Sequence, residues 1–475
     1  MVFSSTVFLF VFLPIVLGAY FLLPGMLRNS WLLVMSLLFY AWGAKVFTLA
    51  MLGSIGVNYM LGLVVDRFRG RRHALWVVAA GVAINLSLLI CYKYAGFLVD
   101  LMNPVLALFH FVPIRLKPVH MPIGISFFTF HAISYVVDVY RGHAKVQRNI
   151  LNFALYESLF PQLVAGPIIR YQDIADQIDA RKEKLVDFAY GVRRFILGLS
   201  KKVLIANVLA GPAGRIFDMR MEDLTMPVAW LGVTFYALQI YFDFSGYSDM
   251  AIGLGRMFGF KFVENFNYPY ISQSIQEFWR RWHISLSTWF RDYLYIPMGG
   301  NRVPPWRVYF NLVTVFFLCG LWHGASWNFV IWGLLHGLFL AVERQKWMAW
   351  MERIWTPLRH LYTMLVVLVG WVFFRSENFS LACSYLKAMA GFGQGDGTLQ
   401  HASQYFNTLV GGALLAGIVG SLPVAIAIRK LDEGKSPVVE NIFALARTAM
   451  LGLMFILCAM QLAAGTYNPF IYFRF

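Results

Sequence analysis

The chain has 475 residues, of which 59% are hydrophobic and only 13% are charged. Charged residues make up about 25% of a typical soluble domain, so this composition excludes an ordinary water-soluble enzyme. The formal net charge is +16. Basic residues gather in short segments between apolar runs, as in 67–72 and 141–148. By the positive-inside rule such segments face the cytoplasm, so the charge predicts a membrane orientation and no nucleic-acid partner.

Long uncharged segments recur along the chain and predict membrane-spanning helices, each of which needs about 20 mostly apolar residues. Lipid offers no partner to open backbone groups, so the expected fold is an all-α, polytopic membrane protein. The clearest segments are 1–27, 29–44, 46–65, 74–92, 119–137, 224–242, 308–342, 397–428 and 448–473, with shorter or interrupted ones near 149–169, 203–217 and 360–374.

We expect the whole chain, 1–475, to form a single membrane domain with three zones. Residues 1–140 hold N-terminal spans, and residues 308–475 hold long spans again. In residues 141–307, prolines and charged residues interrupt short apolar runs. Irregular backbone at membrane depth is tolerated only where it is buried in protein or lines a wet cavity. This middle zone, with re-entrant and interfacial segments, is therefore the candidate functional region.

Segment 277–295 carries apolar residues at four-residue spacing, which favours an amphipathic helix at the membrane interface. Its tryptophans suit the depth of lipid headgroups. Glu277 and Arg281 are spaced for an ion pair on one helix face. The alternative interpretation gives a chemical role to His283, which lies among these aromatic residues. The apolar stripe consists of Phe278, Trp282, Leu286, Phe290 and Leu294.

Polar residues interrupt the uncharged run 308–342 at His323, Ser326 and Asn328. An ionisable residue within a membrane segment is a functional hypothesis by default, because hydrocarbon penalises it unless it faces a cavity or a partner. The alternative for His323 is a hydrogen bond between helices. His336, farther along the same run, is interpreted as structural.

The four cysteines show no paired spacing, so neither a disulfide framework nor a metal site is expected. Cys319 lies four residues before His323, and a cysteine beside a histidine can in principle carry an acyl group. The alternative is a buried apolar residue. Asp243 and Asp249 close an apolar run, where they are expected to cap broken helices, to support the scaffold or to orient a catalytic group. The chain has no Walker or GxGxxG motif, which argues against an ATP-driven pump or a nicotinamide enzyme.

Four segments, 241–255, 267–274, 277–300 and 321–326, together resemble the membrane-bound O-acyltransferase family. The likeness is strongest to its bacterial branch that acetylates alginate and cellulose. The resemblance implies a ring of about eleven or more tilted transmembrane helices, with two funnels that meet near the catalytic histidine. By the family pattern His323 is the essential histidine and His283 is its companion, whereas Cys319 is outside the pattern.

The resemblance also implies a function. Acetyl groups would pass from cytoplasmic acetyl-CoA, as a substrate, across the inner membrane toward hydroxyls of an exported alginate- or cellulose-like polysaccharide. The implied partners are a periplasmic acetyltransferase, the polysaccharide secretion machinery and membrane lipids. The alternatives are a transporter or flippase for acyl or lipid species, a scaffold for the exopolysaccharide machinery, and D-alanyl transfer to teichoic acid.

In this chemistry a neutral His323 would act as the base, because the pKa of histidine lies near the working pH. His283 would orient His323 or stabilise the oxyanion. The cofactor-binding residues remain open, and no metal is expected. Further candidates for support are Asp243, Asp249, Ser326, Asn328, Arg280 and Arg281.

The charge pattern yields a test of orientation. In a chain whose native cysteines are replaced, Arg69→Cys and Lys145→Cys should resist an impermeant thiol reagent in intact cells, because both segments are expected in the cytoplasm. Lys45→Cys lies between two spans on the opposite side and should be labelled. Efficient labelling at position 69 or 145 would reverse the predicted orientation.

Overall fold

The computed structural model describes residues 1–117, 121–344, 348–393, 395, 401–424, 437–465 and 471, and within these ranges it contains helices and no strand. The all-α prediction is confirmed. Within the same ranges, five helical segments are long and apolar enough to cross a membrane: Gly25–Arg67, Arg72–Leu108, Leu185–Phe217, Thr356–Arg375 and Val438–Ala463. Shorter apolar helices are Phe8–Leu22, Trp327–Val342 and Thr408–Gly420.

The α-helices, in chain order, are α1 Leu13–Leu22, α2 Gly25–Ala44, α3 Thr48–Arg67, α4 Arg72–Leu89, α5 Ala95–Leu108, α6 Ile125–Arg141, α7 Ile150–Ser158, α8 Phe160–Leu163, α9 Tyr171–Ala180, α10 Leu185–Ser200, α11 Asn207–Phe217, α12 Met226–Met257, α13 Ile275–Arg281, α14 Ile284–Phe290, α15 Pro305–His323, α16 Trp327–Val342, α17 Met348–Met351, α18 Thr356–Arg375, α19 Phe379–Lys387, α20 Thr408–Gly420 and α21 Pro437–Ala463. Turns of π-helix occupy Phe8–Phe12, Ile90–Tyr94, Lys201–Ala206, Arg291–Tyr295 and Ala388–Phe392. Short 3₁₀ turns occupy Lys45–Phe47, Pro269–Ile271 and Ala402–Tyr405.

The chain divides into two compact units. Unit 1 comprises Met1–Gly191 and Leu254–Val263, and unit 2 comprises Val192–Gly253 and Glu264–Phe475. The boundaries fall inside the zone 141–307 that the sequence marks as interrupted. The grouping of the chain into one domain with three zones stays a prediction.

Unit 1 has its core at α6. This helix begins after Gly124 and ends before Gly142, and both glycines have a positive φ, which only glycine adopts without strain. Nearly every residue of α6 is buried, and α3, α4, α7 and α9 pack on it. Residues 125–136 of the predicted apolar run 119–137 are therefore buried within protein on all sides of the helix, and residues 119 and 120 lie outside the described residues.

Unit 2 is arranged along α12, whose residues 240–253 are all buried. This helix extends well beyond the predicted segment 224–242. The run 308–342 is expected from the sequence to be one apolar segment. It instead forms two helices, α15 and α16, that pack as a hairpin. Of the predicted spans 397–428 and 448–473, residues 397–400, 425–428, 466–470 and 472–473 lie outside the described residues.

A glycine in α3 sets the distance between α3 and α6. A Cβ atom at Gly62 would overlap the ring of Tyr135, which is fully buried. That ring is wedged against Phe153, with ring centroids 4.4 Å apart, and against Tyr171 at 4.7 Å. These two contacts restrict how far the Tyr135 ring can shift to make room for a Cβ atom at position 62.

Gly62→Ala should destabilise the protein by about 1–3 kcal/mol, the usual effect of overpacking a tight interior. Gly53→Ala is the matched control on the same helix, since a Cβ atom there meets nothing within 4 Å. The control should be neutral or stabilising by up to about 1 kcal/mol, because alanine favours helix over glycine. Thermal unfolding in detergent measures both, and equal shifts for the two variants would contradict this packing role.

Candidate active site

The hairpin of α15 and α16 positions His323 at the last residue of α15. The two helices meet backbone to backbone: a Cβ atom at Gly320 would overlap the carbonyl oxygen of Phe329, and one at Gly333 would overlap that of Phe316. Small residues permit this close approach. The chain then turns at 324–326 and enters α16. His323 is thus fixed at the tip of a tightly packed hairpin and is only 4% exposed.

His323 lines a small cavity of about 10 Å³, which is room for about one water molecule. Its imidazole packs edge to face on Trp332, with ring centroids 4.9 Å apart, and on Phe374 at 5.2 Å. The walls are almost entirely aromatic, so water in this space is sparsely supplied with hydrogen-bond partners. The other lining residues are Ile240, Phe244, Trp282 and Trp371.

His283 lies at a break between α13 and α14, where its backbone adopts the left-handed conformation with φ 45°. Segment 277–295 is therefore not one helix, and the expectation of a continuous interfacial helix is wrong. Its tryptophans, Trp279, Trp282 and Trp289, are buried instead of lying at a surface. The break turns His283 inward, where its ring centroid lies 6.5 Å from that of His323. The structure thus brings together the two histidines that the sequence singles out.

Asn265 supports His283, and sequence reasoning missed it. Its side-chain oxygen lies 3.1 Å from Nδ1 of His283 and 3.2 Å from the backbone nitrogen of Ser285. Its side-chain nitrogen donates to Oγ of Ser248 at 3.0 Å. Asn265 is fully buried. The signal available in the sequence was weak, because Asn265 is one of three amide side chains in the link between α12 and α13, beside Asn267 and Gln273.

One face of α12 supplies both a wall and a support for this site. Ile240, Phe244 and Ser248 follow each other at four-residue spacing, which places them on one helix face. The first two line the cavity. Phe244 also packs edge to face on His283 at 4.6 Å, and Ser248 holds Asn265.

Glu343, a second residue missed from the sequence, holds the start of α13. Its carboxylate accepts hydrogen bonds from the backbone nitrogens of Ile275 at 2.7 Å and Gln276 at 2.8 Å. A carboxylate at a helix N-terminus satisfies unpaired N–H groups and complements the helix dipole. Ser274 also caps this helix, through a hydrogen bond from the backbone nitrogen of Glu277. These contacts fix the helix that leads into His283.

Asp243 and Asp249 lie within the continuous helix α12, so the expectation that they cap broken helices is wrong. Asp243 pairs with Lys202 at 2.5 Å and accepts a hydrogen bond from the backbone nitrogen of Ile471. Asp249 pairs with Lys201 at 2.7 Å and with Arg194 at 2.6 Å. Both carboxylates therefore bind cations of α10 and of the π-helical turn that follows it.

The remaining support candidates lie outside the lining of the cavity. Ser326 precedes α16 without a side-chain capping bond. Asn328 donates to the backbone oxygen of Ser376 at 2.7 Å, which ties α16 to the end of α18. The predicted ion pair of Arg281 with Glu277 is present at 2.9 Å. Arg280 is exposed.

Cys319 and His336 are buried and are also absent from the cavity lining. The imidazole of His336 packs among the rings of Trp332, Trp279 and Phe278, at centroid distances of 5.2, 5.3 and 6.2 Å. Across the described ranges, no three His, Cys, Asp or Glu side chains come together as metal ligands would.

The chain is similar to known proteins over most of its length. Residues 126–386 match the model of MBOAT, the membrane-bound O-acyltransferase family. The chain is 43% identical to the probable alginate O-acetylase of Azotobacter vinelandii over 505 residues, which covers all of both chains. It is 48% identical to the probable alginate O-acetylase of Pseudomonas aeruginosa over 395 residues, 83% of this chain and 75% of that one.

A third relative is the peptidoglycan O-acetyltransferase of Helicobacter pylori, with 38% identity over 431 residues, 82% of this chain and 80% of that protein. The chain therefore belongs to the membrane-bound O-acyltransferase family. It is a multi-pass membrane acyltransferase, and the resemblance seen in the sequence is confirmed.

The ion pair of Lys202 with Asp243 generates a test, since both side chains are at most 3% exposed. Lys202→Met should cost about 3–5 kcal/mol of stability, because it leaves Asp243 charged and unpaired in the interior. Adding Asp243→Asn should restore most of the loss. Arg291→Met removes the more exposed partner of Asp292 and should cost at most about 1 kcal/mol. Thermal unfolding in detergent measures all three, and a double variant no more stable than Lys202→Met would refute the pairing.

Proposed function

We propose that this acyltransferase moves an acetyl group from cytoplasmic acetyl-CoA toward hydroxyl groups of an exported polysaccharide. The observation that carries the proposal is the pair of buried histidines, His323 and His283, beside an aromatic-lined cavity. The names of the relatives, two alginate O-acetylases and a peptidoglycan O-acetyltransferase, support acetyl as the group transferred and a carbohydrate polymer as the acceptor. An alginate- or cellulose-like polymer fits this pattern best.

His323 is the proposed base. A thioester is already activated, so the transfer mainly needs a group that removes the hydroxyl proton as oxygen attacks the acyl carbon. The new C–O bond forms as the C–S bond breaks, and the proton passes through histidine to the departing thiolate, which leaves as a free thiol. The aromatic walls exclude bulk water, which favours transfer to the hydroxyl over hydrolysis.

The proposed acyl donor and partners depend on the predicted membrane orientation, in which the basic loop 67–72 faces the cytoplasm. Arg67, Arg69, Arg71 and Arg72 are exposed on one loop, where they can attract the phosphates of coenzyme A. The protein would then lie in the bacterial inner membrane, with the polymer on the far side. A periplasmic acetyltransferase and the polysaccharide secretion machinery would receive the acetyl group there.

Two other functions make different predictions. A transporter or flippase would move its cargo without breaking the thioester, so thioester turnover separates it from the enzyme. D-alanyl transfer to teichoic acid would give no product from acetyl-CoA. A transporter needs no histidine pair enclosed by aromatic rings. D-alanyl transfer would use such a pair as acetyl transfer does, so the names of the relatives are what favour acetyl as the transferred group.

His323→Ala should lower acetyl transfer by about 10²–10⁴-fold, because it removes the general base. His283→Ala should also be severe. Cys319→Ser is the matched control, since Cys319 lies one turn earlier on α15 and is equally buried. We expect that variant to remain active, because the direct mechanism needs no thiol carrier. The measurement is transfer from radiolabelled acetyl-CoA by purified protein in detergent, together with the acetyl content of the exported polymer.

Equal amounts of each variant in the membrane must accompany these activities. Unchanged turnover in His323→Ala would refute the enzyme assignment. An inactive Cys319→Ser with normal membrane levels would replace direct transfer by a two-step route through the thiol.

A further inference from the structure

We infer that Asn265 is a positioning residue that holds His283 in the tautomer protonated at Nδ1, so that Nε2 of His283 presents a lone pair that accepts a hydrogen bond at the site. The inference rests on the proposed function for its catalytic meaning. Its structural content, the tautomer of one buried imidazole, can be measured without any activity.

The orientation of the Asn265 amide follows from one obligatory donor. The backbone N–H of Ser285 points at the side-chain oxygen of Asn265 from 3.2 Å, and a backbone N–H can only donate. Reversing the amide would place two donors against each other. It would also remove the donor that Ser248 accepts at 3.0 Å. The atom facing Nδ1 of His283 is therefore an oxygen.

The tautomer of His283 follows from that oxygen. A neutral imidazole carries one proton, and Nδ1 must hold it in order to donate to Asn265 at 3.1 Å. Nε2 then presents a lone pair. His283 is fully buried, and its Nε2 has no hydrogen-bond partner among the residues that the structure describes. A buried acceptor of this kind is costly unless a ligand uses it.

Backbone hydrogen bonds of Asn265 also hold the chain around His283 in place. The carbonyl oxygen of Asn265 accepts the N–H of Ile284 at 3.0 Å, directly after the left-handed residue His283. The hydroxyl of Ser285 donates to the side chain of Asn265 at 2.9 Å. One residue thus fixes both the chain around His283 and the rotation of its ring.

The surroundings of the ring indicate what reaches Nε2. The ring contacts are Phe244, Trp322 and His323, so His323 is the titratable group that faces His283 among them. The two imidazole centroids are 6.5 Å apart, too far for a direct N–H···N bond and suitable for one bridging oxygen. A neutral His283 in this tautomer cannot donate from Nε2, so it does not stabilise the oxyanion.

The first experiment reads the tautomer directly. Protein with ¹⁵N-labelled histidine is reconstituted in lipid, and solid-state NMR compares it with His283→Gln, so that the difference isolates the His283 signals. We expect a proton on Nδ1 and an unprotonated Nε2. A proton on Nε2 of neutral His283 would overturn the inference whether or not the protein is active. The expected tautomer in a protein without transferase activity would count against the proposed function alone.

The second experiment compares Asn265→Asp with Asn265→Leu in the acetyl-transfer assay. Aspartate keeps the accepting oxygen and adds negative charge beside His283, so activity should persist and the acid limb of the pH–rate profile should move to higher pH. Leucine keeps the size and removes the acceptor, so kcat should fall by about 100-fold or more. Asn407→Asp, at an exposed helix cap, controls for added charge and should leave the profile unchanged.

Two outcomes would overturn the positioning role. One is a folded Asn265→Leu with the parental kcat. The other is an active Asn265→Asp whose pH–rate profile matches the parent. If the leucine variant fails to fold, the aspartate profile and the NMR spectrum still decide the matter.

Discussion

Polar groups enclosed by aromatic rings must find their hydrogen-bond partners inside the protein. The arrangement of the histidine site in unit 2 depends on this requirement. The walls beside His323 are mostly aromatic and surround its imidazole with ring contacts, and a polar group buried without a hydrogen bond is costly. His283 meets the requirement at one nitrogen through Asn265. The other nitrogen, Nε2, has no hydrogen-bond partner among the described residues. His283 is therefore supported at one nitrogen only.

Helix α12 serves two purposes with different faces. One face borders the cavity, and other positions carry carboxylates that pair with cations. Ile240, Phe244 and Ser248 face the cavity and the support of His283. Asp243 and Asp249 point instead to cations of α10 and the π-helical turn after it. Charges on a helix that borders an aromatic cavity would be unfavourable without such pairs. The side chains of α12 that border the cavity are therefore different from those that form its ion pairs.

The sequence predicted the helical class and the family well, because each rests on a local signal: apolar length, or a motif around His323. It also singled out two histidines that the structure brings together. It predicted the continuity of elements poorly. The stripe in 277–295 has the period of one helix, but His283 breaks it, since the contacts of Asn265 and Glu343 override local periodicity. Asn265 itself could not be found from spacing, because its partner lies eighteen residues away and meets it only after α13 has folded.

The left-handed backbone of His283 has a further consequence. This conformation costs a non-glycine residue about 1–2 kcal/mol, because its Cβ crowds the following carbonyl oxygen. Replacing His283 by glycine would relieve that strain while it removes the imidazole. Selection for stability alone would therefore remove histidine from this position. Under the proposed function, keeping histidine at this position trades folding free energy for reactivity, as is expected where a protein keeps a strained residue at its active site.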